Sequence, residues 1–171
     1  LVSWQSGSAY IDLFRTFLET TALYFLISGS WKKGGLFLGL AVGTKWLSLG
    51  SVAIYALVFG IPLVFPALLF SLPWFLVAYK FTGNPVYPLF SSVLHQTFTP
   101  LGVVVKNVLL LPLTVSFPFD DFLSPLVGVL VVLTVLSLFS RHKLIQKISA
   151  VGLLGSILSV ILNPPSSRFL L

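Results

Sequence analysis

The sequence predicts an all-α chain, a polytopic transmembrane helix bundle with short or broken helices and external interfacial loops. Three observations carry this. Hydrophobic residues make up 57% of the chain and charged residues only 8%, whereas a soluble domain carries about a quarter charged residues. Mean hydropathy is +1.05. Apolar runs of helical length recur along the 171 residues, separated by Gly, Pro and short basic clusters. With about 20 apolar residues per crossing, roughly five or six crossings fit.

The chain begins at Leu1, not Met, in a polar patch from Ser3 to Ser8, and stops where Arg168 opens a fresh apolar run. The expectation is one transmembrane region over residues 1–171, an internal fragment of a longer membrane protein with no soluble domain. The basic, apolar and small-residue parts of a signal peptide are absent at the start. There are no cysteines, so disulfides, thiolate metal sites and cysteine nucleophiles are excluded within this span. The formal charge is +6. Its cations cluster in short loops, which points to membrane orientation and not to nucleic acid.

The first helix is expected from about Tyr10 to Ile27, ending at the breaker cluster Ser28-Gly29-Ser30. Arg15 and Glu19 stand four apart on it and share a face. Trp31-Lys32-Lys33 then reads as a cytoplasmic loop. In the apolar run from Gly34 to Gly60, Gly35, Gly39 and Gly43 recur every four residues, which allows close backbone approach. Ile61–Tyr79 is apolar but broken by Pro62, Pro66 and Pro73, and a rigid turn follows at Gly83–Pro88. Leu89–Leu123 is mixed and holds His95, Lys106 and Asp120-Asp121. Pro125–Phe139 is a clean apolar helix, closed by the second cytoplasmic loop, Arg141–Lys147. Ile148–Leu162 is the last helix, stopped by Asn163-Pro164-Pro165.

Both basic loops should lie inside, so an even number of crossings must separate them. A continuous helix over Gly34–Gly60 gives three. Either that run is two short helices that dip in and return, with Lys45 near the tip, or Gly102–Phe117 also crosses. The first is preferred, because Lys45 inside a continuous lipid-facing helix would cost several kcal/mol. At a break lining an aqueous cavity it costs much less. Asp12, Gly83–Pro88, Asp120-Asp121 and Arg168 then converge on the external face.

Several segments resemble the GT-C superfamily of polytopic membrane glycosyltransferases, in the right order. They are Ala9-Tyr10-Ile11-Asp12-Leu13; the glycine-rich run Gly35 to Gly43 ending in Thr44-Lys45; the turn Thr82-Gly83-Asn84-Pro85-Val86-Tyr87-Pro88; and Ser167-Arg168-Phe169-Leu170-Leu171. The turn is the most specific and is similar to that of dolichyl-phosphate-mannose and aminoarabinose transferase-like members. The resemblance implies transfer of a sugar from a polyprenyl-phosphate carrier to an acceptor on the external face of a plasma (inner) membrane, in a prokaryote. It also implies that the principal catalytic acid lies upstream of Leu1.

Each candidate residue has a chemical and a structural reading. Asp12 is the candidate catalytic base, or a divalent-metal ligand; otherwise it is an acid at a helix N-terminus. Lys45 is a contact to the carrier phosphate, or a snorkelling or internally paired lysine. Asn84 and Tyr87 bind and stack on a sugar, or Asn84 serves a rigid turn and Tyr87 an interfacial belt. Arg168 binds phosphate bidentately or anchors at the interface. Asp120-Asp121 read as a solvated loop or cap, His95 as solitary with no second ligand at metal spacing, His142 as a surface residue of the cytoplasmic basic loop, and Arg15–Glu19 as a structural pair. No metal site is assigned, and a divalent cofactor is left open. The competing functions are a secondary transporter or lipid flippase, which broken helices also suit, and a non-catalytic membrane subunit. The chain shows no internal repeat of the kind many transporters carry.

Overall fold

The computed structural model describes residues 2–87, 101–116 and 126–162. All regular structure among them is helical. The chain divides into two compact units, Leu1–Thr97 and Phe98–Leu171, described separately below.

The first unit contains α1 (Val2–Ile27), α2 (Trp31–Thr44), α3 (Ser48–Phe59), a 3₁₀ turn (Ile61–Leu63) and α4 (Val64–Thr82). The expected start of α1 at Tyr10 is too late. The polar segment after Leu1 is helical as well, so α1 has 26 residues and extends about 39 Å. Its end is where the breaker cluster puts it. Gly29 adopts φ +79°, the Ser30 N–H donates to the Phe25 carbonyl at 2.8 Å and the Gly29 N–H to the Leu26 carbonyl at 3.1 Å. These two bonds form a Schellman motif, which turns the chain sharply into α2.

The Gly34–Gly60 run is two short helices, as the crossing argument prefers. They have 14 and 12 residues, about 21 and 18 Å, and neither alone spans a hydrocarbon core of about 30 Å. The glycine stripe orders them. A Cβ on Gly35 would collide with Leu63 and Pro66, one on Gly39 with the Ala67 carbonyl, and one on Gly43 with the Trp74 ring. The partners advance along α4 as the glycines advance along α2, so α2 and α4 run parallel in close contact. In α1, by contrast, Asp12 meets Lys45 while Leu26 meets Gly34, so α1 and α2 are antiparallel. Helix α3 therefore returns the chain from Lys45 to the level where α2 began, and α4 climbs again. The buried core of this unit includes Leu18, Ala22, Leu26, Leu38, Ala41, Val52 and Leu63.

The three prolines do not break α4 as expected. Pro62 sits in the 3₁₀ turn and Pro66 in the first turn of α4, where no N–H is required. Pro73 lies inside an uninterrupted helix. Together with the 3₁₀ turn this forms a 22-residue segment, Ile61–Thr82. It is the one helical segment among the described residues that is both long and apolar enough to cross a membrane. The expected set of five or six crossings is thus not matched by helix length. Several apolar segments are shorter than a bilayer, and α1 carries Asp12, Arg15 and Glu19.

The second unit contains α5 (Leu101–Leu109), α6 (Leu111–Ser116), α7 (Leu126–Ser137) and α8 (Lys143–Leu162). Leu111 and Val131 form its small core, with Val108, Leu153 and Ile157 packed on them. The region expected as Gly102–Phe117 is two helices of 9 and 6 residues, too short to cross in one piece. Helix α8 starts earlier than expected: Lys143 and Lys147 belong to its first turns, and only Arg141 and His142 stay in the turn before it.

Candidate functional site

The break between α2 and α3 is the most polar place in the described part of the first unit. Lys45 caps α2 in extended conformation (φ −155°, ψ 121°), its N–H still donating to the Ala41 carbonyl. A cation at a helix C-terminus is favoured by the helix dipole. Its Nζ donates to Asp12 Oδ1 at 2.8 Å, and both side chains are about three-quarters buried (27% and 29% exposed). One turn further on, the first turns of α3 meet Glu19. Its Oε1 accepts from Ser48 Oγ (2.9 Å), Ser51 Oγ (2.8 Å) and Arg15 Nε (2.9 Å). Its backbone carbonyl accepts from the Tyr55 hydroxyl at 3.2 Å.

Asp12, Arg15 and Glu19 follow the i, i+3, i+7 spacing of one helix face. That face holds both sides of the break, Asp12 through Lys45 and Glu19 through the α3 serines. Arg15–Glu19 is the structural pair expected, but sequence reasoning missed what surrounds it. The signal was available. Ser48, Ser51 and Tyr55 repeat at i, i+3, i+7 on an otherwise apolar helix, a polar stripe that requires a partner when buried.

Lys45 also opens on a cleft of about 340 Å³, lined among others by Thr44, Trp46, Trp74, Val86 and Tyr87. The turn after α4 supplies part of the wall. Gly83 takes φ +71° and ends the helix. The Asn84 side-chain carbonyl accepts the Val86 N–H at 3.0 Å, and the Asn84 backbone carbonyl accepts the Tyr87 N–H at 3.2 Å. This Asx turn delivers Val86 and Tyr87 onto the cleft. Asn84 thus serves the turn, and Tyr87 faces the cleft beside Trp46 and Trp74.

Of the candidate residues, the structure brings together Asp12, Lys45 and Tyr87. Arg168, His95 and Asp120-Asp121 lie outside the described residues. His142 is exposed in the turn before α8, and Lys106 is exposed on α5. Among the described residues no three His, Cys, Asp or Glu side chains gather as a metal site. The chemistry on offer is therefore a cation held by a carboxylate, on the edge of an aromatic-walled cleft. Searches against protein-family models, curated proteins and solved structures found no match to this chain.

Proposed function

We propose that this chain belongs to a polytopic membrane glycosyltransferase of the GT-C type. It would take a sugar from a polyprenyl-phosphate carrier and transfer it to an acceptor at the external face of a prokaryotic plasma membrane. The observation that carries the reading is the Lys45 cleft, where an ammonium held by the Asp12 carboxylate meets four aromatic side chains at the end of a broken helix.

In this reading the acceptor oxygen attacks the anomeric carbon as the bond from that carbon to the carrier phosphate oxygen breaks. The released polyprenyl phosphate gains negative charge, which Lys45 Nζ stabilises. Asp12 holds the ammonium in place and, once phosphate takes over the ammonium, receives the acceptor's proton as general base. Trp46, Trp74 and Tyr87 present flat apolar faces suited to a sugar ring. The exposed Val77, Tyr79 and Phe81, near the end of α4 that borders this cleft, suit the isoprenoid tail.

The test uses the complete protein in membranes with a radiolabelled polyprenyl-phosphate sugar. Lys45→Ala is expected to lower transfer by about a hundredfold or more, the scale seen when one charge-stabilising group is removed. Lys45→Arg should recover part of it. Transfer by Lys45→Ala and Asp12→Asn within twofold of wild type would remove the site assignment.

The second reading is a secondary transporter or lipid flippase, favoured by the same feature, a helix broken at mid-run with a charged pair at the break. A transporter would move its substrate across sealed vesicles without releasing polyprenyl phosphate. A glycosyltransferase would release it in detergent, where no gradient exists.

A further inference from the structure

We infer that the opposite end of α2 carries a binding site for one anionic phospholipid of the cytoplasmic leaflet, with its phosphate on Lys32 and Lys33 and an acyl chain along α4. The inference rests on the membrane part of the proposed function and is independent of sugar transfer.

A second cleft of about 300 Å³ opens there, lined by Trp31, Lys32, Lys33, Phe65, Pro66 and Phe70 together with Leu36. Its walls are aromatic and aliphatic, and its only charged residues are the two lysines. Neither lysine is ion-paired among the described residues. Their ammonium groups lie instead 5.4 Å from the ring centres of Trp31 and Phe25, a distance at which a cation is attracted to a ring face. Two adjacent positive charges with no carboxylate paired to them among the described residues favour an anion.

The apolar side identifies the kind of anion. From the cleft, Phe65, Leu69, Leu72 and Leu76 follow one another along α4 at helical spacing, and all four are exposed. Eleven residues of helix cover about 16 Å, close to half of a hydrocarbon core of about 30 Å. A free phosphate has no use for such a stripe. A phospholipid fits both ends, with its charge at the lysines and a chain one leaflet long on α4. Trp31, exposed at the lip, is the residue type that sits at headgroup level. Juxtamembrane lysines of this kind attract anionic headgroups.

The experiment takes the complete protein, reconstituted in phosphatidylcholine nanodiscs doped with phosphatidylglycerol, and counts retained lipids by native mass spectrometry. Wild type is expected to keep one phosphatidylglycerol in preference to phosphatidylcholine. The double variant Lys32→Gln/Lys33→Gln should lose that preference by about tenfold. Lys80→Gln, at the far end of α4, should leave it unchanged. Equal retention by wild type and the double variant overturns the site. So does competition by inorganic phosphate alone, which would make the lysines a simple anion patch. So does preferential occupation by a polyprenyl phosphate. Failure to insert in nanodiscs of either composition would instead overturn the membrane reading, so the two failures are distinguishable.

Discussion

At the scale of single residues, one carboxylate does most of the joining in the first unit. Glu19 Oε1 accepts from a guanidinium and two serine hydroxyls, and Ser48 is fully buried while Ser51 is 8% exposed. Removing the acceptor leaves those donors without it in a place water reaches poorly, and each orphaned buried group costs about 1–3 kcal/mol. Glu19→Ala is therefore expected to destabilise the protein by about 2–4 kcal/mol. Glu19→Gln, which keeps an acceptor oxygen for the serines, should cost less than half of that. Thermal unfolding of the purified protein in detergent measures both, and equal effects would mean that the charge alone matters. Asp12 and Lys45 call for a different variant. Exchanging them, Asp12→Lys with Lys45→Asp, keeps an ion pair across α1 and α2 and should cost little stability beside either single change. It sets a carboxylate where the proposed phosphate binds, so sugar transfer should be abolished. Transfer at wild-type rate with the exchanged pair would show that the ammonium at position 45 does not meet the phosphate.

At the scale of helices, α2 is a spacer whose thinness matters more than its propensity. Four glycines within one 14-residue helix, three of them in the stripe that faces α4, weaken it intrinsically, since each costs about 1 kcal/mol relative to Ala. What they permit is the backbone of α2 lying against that of α4, where only a hydrogen fits. Gly39 faces the Ala67 carbonyl, which is backbone and unable to turn aside. Gly39→Ala therefore forces the two helices apart, at an expected cost of about 1–3 kcal/mol. Gly152→Ala, in α8, would place its methyl at ordinary contact distance from Thr134 and should be neutral or mildly stabilising. A comparison of the two melting temperatures checks this, and equal shifts would remove the close-packing argument. The stripe was legible in the sequence because period four is visible without coordinates. The break at Lys45 was legible because a charge inside an apolar run has few affordable positions. The continuity of α4 through Pro73 was not, since a proline's local signal says "break" and only the surrounding helix decides otherwise. The helical start of α1 and the early start of α8 were missed for a related reason: polar residues at a helix end carry no apolar period to read.

At the scale of the whole molecule, composition alone made the all-helical class legible, but not the number of crossings. Hydropathy counts apolar residues, whereas a crossing requires them in one unbroken helix about 20 residues long. Here α2, α3 and α7 are apolar and too short, and Ile61–Thr82 alone meets both conditions among the described residues. In the proposed membrane reading, α2 and the returning α3 enter and leave on one side, and Ile61–Thr82 carries the chain across. The fold thus makes a sided prediction. Lys33 lies at the level where α4 begins and Thr82 at its far end, about 28 Å of helix away. Because the chain has no native cysteine, single introduced thiols report position cleanly. In intact cells, Thr82→Cys should react with a membrane-impermeant maleimide, and Lys33→Cys only after permeabilisation. Protection of both until permeabilisation, or reaction of both before it, would mean that Ile61–Thr82 does not separate two compartments. The external position of the Lys45 cleft, on which the glycosyl-transfer proposal depends, would then be lost with it.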